Sequence, residues 1–137
     1  MGTQKIVIDT NVLISAFGWN GTPRRVFEYA LSGKVELLVS NGQFRELERV
    51  IQYPKLGFTE GQRKRFLAFV LEACTLVENS GRLAVVVEDP SDDVLLETAV
   101  EHGASWLVTG DRHLLKFKTF QGVQILTPVG FLANFDE

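Results

Sequence analysis

Short apolar, β-branched runs recur along this chain and alternate with stretches of helical pattern: KIVI (5–8), VELLV (35–39), AVVV (84–87), WLVT (106–109) and VQIL (123–126). A run that is apolar at every position, rather than every second one, is what a strand covered on both faces requires. The intervening segments carry readable helix ends. Thr22-Pro23 opens a helix that closes at Gly33, and Ser40 opens another that stops before Pro54. Thr59 caps a third, carrying Phe66, Leu67, Val70 and Leu71. Ser91 caps a fourth, with Val94, Leu95, Thr98 and Ala99 inward and Gly103 just past its end; Thr127-Pro128 starts a short last one. Strand-helix alternation of this kind predicts an α/β fold, a three-layer α/β/α sandwich around a parallel central sheet. No linker, repeat or low-complexity segment interrupts it, so residues 1–137 read as one domain.

Composition narrows the setting. With 45% hydrophobic and 23% charged residues, 137 residues can bury a substantial core. The lone Cys74 excludes an internal disulfide and a thiolate zinc site, and His102 and His113 lack zinc-type spacing. No leader pattern opens the chain, MGTQKI does not fit a myristoylation signal, and no apolar run approaches the roughly 20 residues of a membrane helix. A soluble protein of the reducing cytoplasm, with no membrane partner, is the expectation. The net charge of −3 supplies no basic field, so a polyanionic substrate would depend on metal ions and local basic patches.

Four acidic signals fall where such a sheet gathers its ligands. In an open parallel sheet, binding occurs outside the carboxyl ends of the strands. Asp9 follows KIVI, Asp111 follows WLVTG, and Asp92 with Asp93 opens a helix at the same edge. Glu46 lies in the second turn of its helix, bordering the stripe of Phe44, Leu47, Val50 and Ile51. Each has a plain reading: strand-end Asp residues start turns, acids in a first helical turn complement the dipole, and Glu46 can pair with Arg49. Their convergence is what argues for function. Clustered carboxylates repel and lose hydration, and such a set points to a bound cation.

IVIDTNVLISAF, ELERVIQYPKL, DPSDDVLLETAVEHGASWLVTGDRHLL and ILTPVGFL, in that order, resemble the PIN domain family, in its branch of toxin nucleases from toxin–antitoxin pairs (VapC-like). The resemblance covers nearly the whole chain. It implies a Mg²⁺- or Mn²⁺-dependent endoribonuclease, with one or two ions, acting on single-stranded RNA. It maps the acidic quartet of the family onto Asp9, Glu46, Asp92 and Asp111, and the polar pocket residues onto Asn11, Ser15 and Thr109. Asp92 fits the pattern better than Asp93, because the acid is followed at matching spacing by Ala99 and GASWLVTGD. Arg112 and His113 follow the last acid, where a substrate phosphate could meet them, but His113 reads as a surface turn residue before it reads as a catalyst. A cognate antitoxin is implied as partner, as is a homodimer, for which the apolar helix RFLAFVLEA (65–73) is a candidate contact. The implied chemistry agrees with the residues: hard cations on oxygen ligands activate water and offset charge on the transition state.

Basic residues are scattered: Arg24-Arg25, Arg45, Arg49, Arg63-Lys64-Arg65, Lys116 and Lys118. Trp19, in the loop GWNGTP, is suited to stack a nucleobase or equally to cap the core or meet a second copy, whereas Phe17, Phe27, Phe44, Phe66 and Phe69 read as core or interface. Three other functions compete. A haloacid-dehalogenase-like phosphatase needs a second Asp where this chain has Asn11. A response-regulator receiver needs an adjacent acidic pair after the first strand and a Lys after the last, and VQILTP has none. A catalytically silent PIN scaffold used for binding would not need all four acids.

Overall fold

The computed structural model describes residues 3–83 and 90–134. β1 (Lys5–Ile8) runs into α1 (Thr10–Gly18), followed by α2 (Thr22–Leu31), β2 (Glu36–Ser40) and α3 (Asn41–Val50). A 3-10 turn (Pro54–Leu56) leads to α4 (Glu60–Ala73) and β3 (Cys74–Val77). Beyond lie α5 (Pro90–Glu101), β4 (Trp106–Val108), α6 (Arg112–Leu115), β5 (Thr119–Phe120), β6 (Val123–Leu126) and α7 (Pro128–Leu132). Among the described residues the strands form a six-stranded sheet in the order β3-β2-β1-β4-β6-β5. All pairs are parallel except β5 with β6, a hairpin whose Gln121 and Gly122 both take positive φ, as a tight primed turn demands.

The apolar runs behave as strands covered on both faces. In β1, Ile6 and Ile8 point into one core and Val7 into the other; β2 divides Leu37 and Val39 from Leu38, and β4 divides Trp106 and Val108 from Leu107. The larger core receives Leu13, Val26, Leu47, Phe66 and Phe131 from the helices on its side, and the smaller receives Leu95, Leu96, Ala99 and Leu114. This is the expected three-layer sandwich.

Several helix ends are as the sequence predicts. Ser40 accepts from the Gln43 amide, Thr127 from the Gly130 amide, and Thr59 with Gln62 closes a reciprocal capping box. Ser91 differs: α5 begins at Pro90, so Ser91 stands inside the helix rather than at its cap, since Pro is well suited to a first helical position. On α4, Phe66 and Val70 are buried, while Leu71 is 49% exposed. The AVVV run lies outside the described residues. At the sheet edge after α4 lies β3, in a segment where the pattern predicts no strand. Helix α1 was also unforeseen, because VLISAF is apolar almost all round and masks the helical period. Among the described residues, no helix is long and apolar enough to cross a membrane.

Candidate active site

The strand order changes direction between β1 and β4, since β1 is followed by β2 on one side and β4 pairs on the other. Such a switch point leaves a crevice beyond the strand ends. Here the crevice is a cavity of about 790 Å³, and its lining includes Asp9, Asn11, Ser15, Glu46, Asp92 and Asp111.

Asp9 is drawn into place from both sides. Its amide donates to Val108 O (2.9 Å), extending the β1–β4 ladder by one rung. As the N-cap of α1, its Oδ1 accepts from the Asn11 amide (3.3 Å), while Oδ2 accepts from Thr109 Oγ1 (2.7 Å). Thr109 Oγ1 in turn accepts from the Asp111 amide (3.0 Å), and Asp111 Oδ1 caps α6 through the His113 amide (2.8 Å). The turn-forming reading of these two acids holds, and the capping bonds are what fix their orientation at the crevice. Glu46 reaches the crevice from α3, where Thr10 donates to its Oε1 (2.6 Å) and the mostly exposed Arg49 guanidinium stands 3.9 Å from Oε2. Buried Asp92 arrives from the first turn of α5.

Burial pushes the Asp9 carboxyl above its ordinary value of 3.8. The bonds from Thr109 and Asn11 oppose that rise, and the charges of Glu46 and Asp111 add to it. A negative charge placed where water is scarce and other acids are near favours a cation.

Of the other residues singled out in the sequence, Thr109 is fully buried behind Asp9 and orients acids rather than lining the cavity. Asp93 and the exposed Arg112 lie outside the lining, although each is adjacent to an acid that belongs to it. Thr10 and Gln43 were not anticipated. Gln43 is buried and donates from Nε2 to Ile8 O (2.7 Å), tying α3 to the end of β1 and standing 3.5 Å from Thr10 Oγ1. In sequence, Gln43 reads as the third residue of a Ser-capped helix, and only the turn of α3 toward the sheet gives it this second task. Arg24 is committed elsewhere, donating to Ala16 O, Phe17 O and Asn20 Oδ1 at the end of α1.

The donor set is entirely oxygen, the chemistry that suits Mg²⁺ or Mn²⁺. Among the described residues, no three acidic, imidazole or thiolate side chains are gathered closely enough to form a ready-made metal cage. Mg²⁺ does not require one, because it retains several waters and is commonly held by one or two carboxylates together with substrate phosphates.

An α/β sandwich with an acid-lined crevice at its switch point is the class that fold and cavity define. The family model described as PIN domain matches residues 5–113, and the chain belongs to the PIN domain family. PIN domains are generally metal-dependent nucleases. Among solved structures, the fold is similar to that of VapBC2 from Rickettsia felis bound to a DNA fragment from their promoter. That match has a TM-score of 0.62 and 16% identity, and covers 89% of this chain and 97% of the other. PAE2754 from Pyrobaculum aerophilum is also similar, with a TM-score of 0.51 and 19% identity over 98% of this chain and 91% of the other. A search of curated proteins finds no match.

Proposed function

We propose that this protein is a divalent-metal-dependent endoribonuclease that cleaves single-stranded RNA, and that it is the toxin of a toxin–antitoxin pair. The observation that carries the reading is the convergence of Asp9, Glu46, Asp92 and Asp111 on one crevice from four separate elements. Membership of the PIN family supports nuclease chemistry, and the fold likeness to a protein solved in a VapBC2 complex supports an antitoxin partner.

In this reading Asp9 and Asp111 hold Mg²⁺ or Mn²⁺ directly, with Asp92 and Glu46 acting through water or on a second ion. A cation held there would supply an activated water and offset the charge that develops on the phosphate. Thr109 keeps the Asp9 carboxylate turned to the crevice. Thr10 does the same for Glu46, and Asn11 and Ser15 at the rim offer polar groups to the RNA backbone. Arg112, set outside the lining, would meet a flanking phosphate.

The competing reading, a silent PIN scaffold, draws on the absence of a preformed cage among the described residues. Incubation of the purified protein with single-stranded RNA, double-stranded RNA and single-stranded DNA, with Mg²⁺, Mn²⁺ or a chelator, separates the two. Metal-dependent cleavage of single-stranded RNA that disappears in Asp9→Asn and Asp111→Asn is the expected result. A folded protein that is inert with every substrate and both ions overturns the nuclease reading.

A further inference from the structure

A second cavity, of about 330 Å³, opens beside the acidic crevice and shares with it Asn11, Ser15, Val50, Tyr53 and Lys55. Its remaining walls are Ile14, Leu56 and Trp19. Trp19 is 53% and Tyr53 38% exposed, so two large rings present apolar area to solvent at one cavity. The Trp19 ring is held in place, and so is the backbone that carries Tyr53. The Trp19 ring packs against Phe58 with centroids 5.8 Å apart, and Phe58 packs in turn edge-on against Phe17. Gly18 makes that packing possible, since a Cβ there would stand 2.8 Å from Phe58 Cζ. Tyr53 and Lys55 flank Pro54 in a 3-10 turn closed by Gly57 at φ 70, so the backbone that carries them is pinned at both ends.

We propose that Trp19 and Tyr53 form a nucleobase-stacking subsite next to the acidic crevice, with Lys55 at the seam receiving the phosphate of the same nucleotide. The proposal deepens the single-stranded RNA reading above and rests on it. Two exposed aromatic rings over an apolar floor suit a flat base, and stacking of this kind tolerates any sequence because every base has a π-face. A cation placed between this floor and a carboxylate-lined crevice suits a ligand that is planar and anionic at once. A nucleotide satisfies both demands, whereas an apolar peptide segment leaves Lys55 facing no anion.

The test is binding of a labelled single-stranded oligoribonucleotide, followed by anisotropy with Ca²⁺ in place of Mg²⁺ or Mn²⁺ and with the oligonucleotide checked to be intact after each titration. Trp19→Leu and Tyr53→Leu keep an apolar side chain and remove the ring plane. Each is expected to weaken binding about 5- to 150-fold, while Trp19→Phe stays within a few fold of wild type. Placing an abasic nucleotide at successive positions should find one position at which wild type falls to the level of Trp19→Leu. Wild-type affinity in both Leu variants, alongside normal metal-dependent cleavage, overturns the subsite and leaves the nuclease reading standing. A wild-type protein that neither binds nor cleaves RNA removes both. Loss of affinity confined to a protein partner, with oligonucleotide binding intact, overturns the proposal in favour of a peptide groove.

Discussion

The Thr109 hydroxyl donates to Asp9 Oδ2 at 2.7 Å and accepts from the Asp111 amide at 3.0 Å, so one buried side chain sets the positions of two acids from neighbouring strands. Thr109→Val preserves shape but removes both bonds, leaving a buried acceptor and a backbone donor short of partners. A stability loss of about 1–3 kcal/mol is expected in urea denaturation. Mn²⁺ affinity measured calorimetrically should fall about 10- to 100-fold, the usual cost of losing an outer partner of a metal ligand. Thr109→Ser should recover most of both. Unchanged Mn²⁺ binding in the Val variant would show that Asp9 does not need this orientation.

Asp9 links the site to pH. Burial, aided by Glu46 and Asp111, raises its carboxyl above 3.8 in the folded protein, so the folded state holds this proton more tightly than the unfolded chain. By linkage, Asp9 costs nothing below the unfolded value. It becomes destabilising as pH rises from 3.8 through the raised folded value, and stays so above it. Asp9→Asn should therefore match wild type in acid and exceed it near neutral pH in the absence of metal. Added Mn²⁺ should stabilise wild type and leave Asp9→Asn unmoved. Denaturation midpoints from pH 4 to 7 decide it, and an Asn variant less stable than wild type at pH 7 would contradict the argument.

The adjacent acids on α5 differ in placement, Asp92 buried at the crevice and Asp93 outside its lining. Asp92→Asn should reduce RNA cleavage at least about tenfold more than Asp93→Asn, since a charge that does not face the metal contributes little to it. Parallel turnover assays with both variants suffice, and equal losses would remove the preference for Asp92.

At the end of α1, Gly18→Ala sets two effects against each other. Ala is the better helix former by roughly 0.5–1 kcal/mol, but its Cβ would lie 2.8 Å from Phe58 Cζ and 3.3 Å from Cε1. Phe58 packs against both Phe17 and Trp19, so a shift of its ring disturbs both contacts. The clash should win, giving a net loss of about 1 kcal/mol or more. Pairing Gly18→Ala with Phe58→Leu should recover part of it; thermal melts of the single and double variants provide the comparison.

If an antitoxin inhibits this protein, an Arg or Lys placed among the carboxylates is the natural anchor. Asp9→Asn or Asp111→Asn should then weaken the complex in a salt-sensitive way, and excess Mn²⁺ should compete with the partner. Titrations at two ionic strengths, with and without Mn²⁺, measure this directly. Indifference to both would place the partner on another surface.

KIVI, VELLV and WLVT determined the sandwich by themselves, because a strand covered on both faces must be apolar at every position, and that pattern is local. The caps at Ser40, Thr59 and Thr127 were legible for the same reason: each is a bond between residues three apart. Asp9 and Asp111 could be placed at one sheet edge from the strand–helix alternation, since each follows a strand expected to run parallel. Other features lay beyond that reach. Asp92 could be told from Asp93 by position in the crevice only once α5 had been rotated against the sheet. Gln43 and Thr10 acquired their roles only when α3 swung over the end of β1, a contact spanning 35 residues that no local pattern records. Trp19 was visible as a loop aromatic, but its neighbours Tyr53 and Lys55 come from a different turn. Periodicity and capping are carried by neighbours in the chain, whereas a site is made of side chains that meet only after the helices have packed, and that meeting is decided by tertiary structure.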